Sequence, residues 1–181
     1  MEKSKIFSDW EIKAILADRK TRFSEPLRPQ PAVSGPGWIA DQYNGGPEWA
    51  IWQGCKMSEP RTWLPKYPLG TKVWGREAWA RCDDLDITYY RATDAVCGRW
   101  RSASQMRRWA SRITLRITDV KAQMLGDVTP EEAMAEGAPM VAGVKNVIPV
   151  YEQLWNDRWA KRGYPWDPNM WVFAYEFEVV K

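Results

Sequence analysis

The 181-residue chain contains no histidine. That absence excludes Ser-His-Asp and Cys-His catalytic arrangements, and with them the zinc sites that use imidazole. Cysteine is nearly as scarce: Cys55, Cys82 and Cys97 are odd in number and widely spaced. They predict reduced thiols rather than a disulfide framework, and no structural zinc. No stretch approaches the ~18 apolar residues of a membrane span. The opening MEKSKIFSDW lacks the apolar run of a signal peptide. The expectation is a cytoplasmic protein with no membrane association, metal or cofactor. Neither charge sign dominates, since 26 Lys and Arg oppose 23 Asp and Glu. Bulk charge therefore names no partner. Acid–base chemistry near neutral pH would fall to Lys, Glu, Asp, Tyr or Cys with a shifted pKa.

Tryptophan is abundant instead, with 13 against 4 Phe. An indole brings a large apolar surface and an N–H that needs a partner. Thirteen exceed what one core of this size requires, so some are expected to line a cleft or a surface.

The periodicities predict one domain over residues 1–181, interrupted by a long irregular insertion at about 32–68. Ser8-Asp-Trp-Glu11 reads as a capping box opening a helix from Asp9 to about Asp18. Prolines and glycines crowd the segment from Pro26 to Pro68, with one short strand expected at Trp49–Gln53. Trp38, Trp49, Trp52 and Trp63 argue that this segment packs down. Strands are expected at Lys72–Trp79 and Asp86–Arg91. A third, at Arg112–Val120, alternates Ile113, Leu115 and Ile117 with polar residues. Thr129-Pro-Glu-Glu132 is a second capping signature with Pro130 at the first helical position, and Gly137 should end that helix. A third helix is expected from Pro149 to about Arg162, and a closing strand over Trp171–Val180. Strands and helices mix without a βαβ rhythm. The predicted class is α+β: a small, mostly antiparallel, barrel-like sheet with short flanking helices.

Four segments could carry chemistry. Between Asp94 and Asp119 there is no acid, while Arg99, Arg101, Arg107, Arg108, Arg112 and Arg116 are interleaved with Trp100 and Trp109. Guanidinium forks suit phosphates and indoles suit base stacking, so this run reads as a nucleic-acid contact. The alternative is that the indoles pack beneath the sheet and the arginines pair with scattered carboxylates. Lys20, Thr21 and Ser24 follow the first helix. A lysine in a dry pocket can lose its proton and serve as a base toward a hydroxyl; a solvated helix end is the alternative. Glu131 and Glu132 suit a helix N-terminus. Glu136, at the opposite end, is disfavoured by the dipole and needs another reason to be there. Asp83, Asp84 and Asp86 lack the spacing of a calcium loop and read as a solvated turn. Glu77 is expected to pair with Arg76 or Arg81.

Taken in order, the R-K-T step, the strand G-T-K-V-W-G-R-E, W-A-S-R-I-T-L-R-I-T-D-V, T-P-E-E-A-M-A-E-G and W-V-F-A-Y-E-F resemble ASCH-domain proteins, in particular a branch carried by phages and prophages. The resemblance spans most of the chain, with Ala32 to Pro68 least accounted for. It implies a small β-barrel related to the PUA fold, and a cleft for RNA or a nucleoside. One bacterial branch removes the acetyl group of N4-acetylcytidine using a lysine, a threonine three residues later and a glutamate of the later short helix. Lys20 matches the lysine and Glu136 the glutamate, while the threonine position holds Phe23. The wider pattern Gly-x-Lys-x-x-Glu-x-Arg meets Asp18, Lys20, Phe23 and Glu25 here, and only the lysine is retained. Thr21 or Ser24 would have to supply the hydroxyl.

Three functions follow as expectations. One is a module binding RNA, single-stranded nucleic acid or a modified nucleoside, with Arg99, Trp100, Arg101, Arg107, Arg108, Trp109 and Arg112 as contacts. Another is an amidohydrolase of an acylated nucleoside using Lys20, Glu136 and Thr21 or Ser24. The last is a phage protein that binds a host protein through its Trp-rich loop.

Overall fold

The computed structural model describes residues 2–31, 38–42, 46–53, 62–82, 84–95, 99–140 and 146–180. Five strands form the main sheet: β1 (Glu2–Ile6), β2 (Arg22–Pro26), β6 (Lys72–Arg76), β9 (Thr114–Met124) and β10 (Trp171–Val180). Their order is β1-β6-β9-β10-β2. All neighbours are antiparallel except β1 and β6. β3 (Trp38–Gln42), β4 (Trp49–Gln53) and β5 (Thr62–Trp63) make a second antiparallel sheet, and β7 (Trp79–Cys82) pairs with β8 (Ile87–Tyr90) in a hairpin. The class is α+β with a largely antiparallel sheet.

β9 and β10 form the longest pairing, with Tyr175 opposite Val120 and Phe173 opposite Ala122. Their alternation buries Leu115, Ile117, Phe173, Tyr175 and Phe177 on one side. Phe23, Tyr67 and Phe7 join this core, with Phe23 and Tyr175 centroids 5.0 Å apart.

The edge strands β1 and β2 share no backbone ladder, yet side chains bridge them. Lys5 on β1 reaches Glu25 on β2 at 2.5 Å, and its ammonium stands 4.1 Å from the Phe23 ring centroid. Phe7 meets Phe23 edge-on at 6.3 Å. The Tyr67 hydroxyl donates to the Ser4 carbonyl at 3.3 Å from within. Side chains, and not a backbone ladder, thus close the seam between the two edges of the sheet.

Three helices flank the sheet: α1 (Asp9–Leu16), α2 (Pro130–Ala135) and α3 (Ile148–Trp159). The Glu11 carboxylate accepts from the Ser8 amide and hydroxyl, both at 2.9 Å. At α2 the Glu132 amide donates to Thr129 Oγ1 at 3.2 Å, and the Thr129 amide donates to Glu132 at 3.1 Å. These are the two capping boxes expected from the sequence. Gly137 ends α2 at φ +95°, a left-handed backbone suited to glycine. α3 buries Tyr151, Trp155 and Trp159 over a second apolar cluster with Leu125 and Val172.

Several boundaries differ from the sequence expectation. The Lys72–Trp79 run breaks at Glu77 and Ala78 into β6 and β7 because the chain leaves the main sheet there for the hairpin. β1, β2, β3 and β5 are strands where the sequence suggested none, so the segment at about 32–68 carries a three-stranded sheet instead of the one short strand expected, β3 and β5 each pairing with β4. Trp49 and Trp63 are buried, as a packed insertion requires. Residues 32–37, 43–45 and 54–61, the side chains of Trp38 and Trp52, and Cys55, Cys97 and Asp83 lie outside the described residues. No helix among the described residues is long and apolar enough to cross a membrane.

Candidate functional site

β2 positions the site. Alternation along it turns Arg22 and Ser24 toward α2 and sends Phe23 into the aromatic core. Ser24 donates its hydroxyl to one Glu136 oxygen at 2.5 Å and its backbone N–H to the other at 3.1 Å. The Arg22 guanidinium pairs with Glu132 and stands 3.6 Å from Glu136. Glu136, placed against the helix dipole, is therefore held by β2.

Lys20 is buried just before β2 and donates to the Glu136 backbone carbonyl at 2.5 Å. It thereby caps the C-terminal end of α2. Its ammonium also stands 3.7 Å from Glu11 and 5.4 Å from the Trp10 ring centroid. Arg158 of α3 holds the other Glu11 oxygen at 2.6 Å and donates to the Ile6 carbonyl at 2.7 Å. Burial lowers the Lys20 pKa below the usual lysine value, against the pull of Glu11 and Glu136. Burial alone would raise the Glu11 carboxyl, but Lys20 and Arg158 hold it below the ordinary range.

These side chains enclose a chamber of about 30 Å³, lined also by Phe23, Tyr151 and Trp155. That is room for about two waters. Tyr151 makes no well-formed hydrogen bond through its hydroxyl. Burial pushes its phenol well above the usual value, and Glu136 adds to the effect. A hydroxyl on a carboxylate, beside a lysine eased toward neutrality, provides the parts for proton transfer and nucleophilic attack.

The chamber shares wall residues with two open clefts. The first, about 750 Å³, opens along the β1–β2 seam. It is lined by the cations Lys5, Arg28, Lys66, Arg76, Arg158 and Arg162 and by one carboxylate, Glu25. Trp63, Tyr67, Trp159 and Phe173 lie behind it, all buried. The second, about 900 Å³, runs between α1, α3 and the segment from Trp100 to Ala103. Its cations Arg91, Arg101, Arg158 and Arg162 face Asp9, Glu11 and Asp157. Arg158 lines all three spaces. Burial pushes Lys5, between the first cleft and the chamber, down to about 8, with Glu25 opposing the shift.

The structure brings Lys20, Ser24 and Glu136 together. Thr21 is exposed and does not line the chamber; its backbone instead ties α2 to β10 through Ala135 and Phe177. In the arginine–tryptophan run, three arginines have carboxylate partners. Arg108 pairs with Glu2 at 2.9 Å, Arg112 grips Glu77 through two 2.9 Å bonds, and Arg116 pairs with Glu178. Trp100 and Arg101 line the second cleft. Trp109 lies 59% exposed, edge-on to Trp79. Arg99 and Arg107 are exposed and line neither cleft. Glu77 takes Arg112 as partner rather than Arg76 or Arg81, because its carboxylate is buried facing the loop before β9. Asp86 pairs with Arg81. Among the described residues no group of His, Cys, Asp and Glu is arranged to hold a metal.

Sequence inspection missed the first cleft altogether. Its six cations come from positions 5, 28, 66, 76, 158 and 162, and no window of the chain holds more than two of them. Glu11 was legible only as a capping residue.

No protein-family model matches the chain, and no curated protein matches it in sequence. Among solved structures it is similar to protein EF3133 from Enterococcus faecalis V583, a DUF984 protein, at 16% identity over 99% of this chain and 80% of that one, with a TM-score of 0.47. It is also similar to an ASCH domain from Lactobacillus crispatus JV V101, at 12% identity over 98% of this chain and 79% of that one, with a TM-score of 0.45. Both are likenesses of overall fold, to an ASCH domain in one case and to a DUF984 protein in the other.

Proposed function

We propose that the protein binds a single-stranded nucleic acid or a modified nucleoside in the cleft along the β1–β2 seam. The observation that carries this is the lining of that cleft: six cations against one carboxylate. Glu25 is itself held by Lys5 at 2.5 Å and Lys66 at 3.7 Å, so the field at the cleft remains positive. A positive groove suits a phosphate backbone along its rim. A fluorescence anisotropy titration with labelled single-stranded RNA tests it. Binding should weaken steeply between 50 and 200 mM salt, because each phosphate contact adds about −0.7 to the slope of log K against log salt. Lys66→Ala, at an exposed side chain of this cleft, should reduce that slope. Absence of binding to RNA, DNA and nucleosides alike overturns the proposal.

A second function is supported by the junction of Lys20, Ser24 and Glu136 in a buried chamber: hydrolysis of an acyl amide on a nucleoside base. Ser24 would attack the acyl carbon, its proton passing to Glu136. Protonation of the departing amine would release the base, and water would then free the acyl group. In this reading the acyl group would enter the chamber and the base would rest in the cleft. Incubation with N4-acetylcytidine should yield cytidine and acetate, and Ser24→Ala should abolish the release. Unchanged N4-acetylcytidine at stoichiometric protein counts decisively against this second function.

A further inference from the structure

Three guanidinium groups converge on one buried indole. Trp159, in the last turn of α3, has the Cζ atoms of Arg162, Arg28 and Arg158 at 5.3, 5.6 and 5.7 Å from its ring centroid. Arg28 also lies 5.0 Å from the Tyr164 ring. Only Arg158 has a carboxylate, Glu11. Arg28 and Arg162 hold none among the described residues, and both are exposed at the mouth of the first cleft. Each cation–π contact is worth about 0.5–1 kcal/mol at such a site. Three like charges around one ring repel one another, so the indole alone does not account for the gathering. An anion between the two free forks would.

The chamber beside it has the opposite character. Three cations line it, Lys5, Lys20 and Arg158, with the carboxylates Glu11 and Glu136, and Glu25 holds Lys5 from the cleft side. A neutral group suits that interior, and an anionic group suits the mouth. We infer that Arg28 and Arg162 over Trp159 form a phosphate-binding subsite, so that the ligand of the cleft is a phosphorylated one, a nucleotide or a strand, rather than a free nucleoside. This rests on the cleft being the nucleic-acid or nucleoside site. A guanidinium fork binds a phosphate through two parallel hydrogen bonds, which a lysine cannot reproduce.

The test is a set of tryptophan-fluorescence titrations with cytidine, cytidine 5′-monophosphate, cytidine 3′-monophosphate and the dinucleotide CpC, on the intact chain at low salt. The phosphorylated ligands should bind at least tenfold more tightly than cytidine. Arg28→Ala and Arg162→Ala should each collapse that ratio toward one, and Arg→Lys at either position should restore only part of it. Both side chains are on the surface, so the variants keep the fold. A gain for CpC identifies a strand diester, and a gain confined to one monophosphate identifies a terminal phosphate; either supports the subsite. Equal affinities for cytidine and its monophosphates overturn it while leaving the cleft as a nucleoside site. A tenfold ratio unchanged in both variants also overturns it. No binding of any of the four, or of RNA, overturns the cleft reading itself.

Discussion

Ser24 bonds Glu136 twice, through its hydroxyl at 2.5 Å and its amide at 3.1 Å, across 112 positions of sequence. That double contact ties β2 to the end of α2. It also aims a carboxylate at the one hydroxyl of the Lys20–Glu25 segment that faces the chamber.

Ser24→Ala removes the hydroxyl bond to a buried carboxylate. A hydrogen bond to a charged group is worth about 1.5–3 kcal/mol, and the amide contact and Arg22 remain. Urea denaturation should show a loss within that range.

Lys20→Met separates a structural lysine from a working one. The substitution removes a buried charge and leaves Glu11 with Arg158, and Glu136 with Ser24 and Arg22. Removing one partner of a buried ion pair costs about 3–5 kcal/mol when the other is left alone; here Arg158 still holds Glu11, so the urea midpoint should fall by less than that. A full loss of about 3 kcal/mol or more would mean that the Lys20 bonds to Glu11 and to the end of α2 are themselves structural.

Gly137→Ala should destabilise more than Gly163→Ala. Both glycines have positive φ, +95° and +87°, so each variant bears about 1–2 kcal/mol of backbone cost. A Cβ at Gly163 meets open space, whereas one at Gly137 stands 3.0 Å from Trp10 Cζ3 and 3.6 Å from Lys20 Cβ. The difference in thermal midpoint between the two variants measures how firmly Trp10 is packed against the chamber.

Stability should rise between pH 8 and 10. The folded chain releases the Lys5 proton at about 8, while the unfolded chain keeps it to 10.5. In that window the unfolded state binds more protons, so stability increases with pH, by up to about 1.4 kcal/mol per unit. Below pH 8 both states are protonated and this contribution is flat. Lys20, lowered by burial, has the same sign. Above pH 10 the buried phenols of Tyr67, Tyr151 and Tyr175, raised by burial, work the other way. Urea midpoints measured from pH 7 to 10 should climb, and Lys5→Met should flatten the climb.

What was legible in the sequence was local. The capping boxes at Ser8 and Thr129 depend on residues three apart, and the strands at 114–124 and 171–180 show their alternation directly. β1, with the sequence Glu-Lys-Ser-Lys-Ile, has no apolar alternation and is a strand only because β6 pairs with it. β2 looked like a helix exit because its pairing partner, β10, lies some 150 residues away. The arginine run from Arg99 to Arg116 was conspicuous, but the carboxylates that pair with Arg108, Arg112 and Arg116 lie at positions 2, 77 and 178, far away in sequence. The basic cleft was hidden for the opposite reason, since tertiary folding gathers cations that the sequence scatters. The partnership of Lys20 with Glu136 came from the ASCH resemblance. That Ser24 presents the hydroxyl follows from the two-residue alternation of β2, once β2 is known to be a strand.

Arg158 borders the chamber and both clefts while holding Glu11 and the Ile6 carbonyl. One guanidinium therefore belongs to three spaces at once, so that Arg158→Met would take a charge from all of them together and leave Lys20 as the cation nearest Glu11.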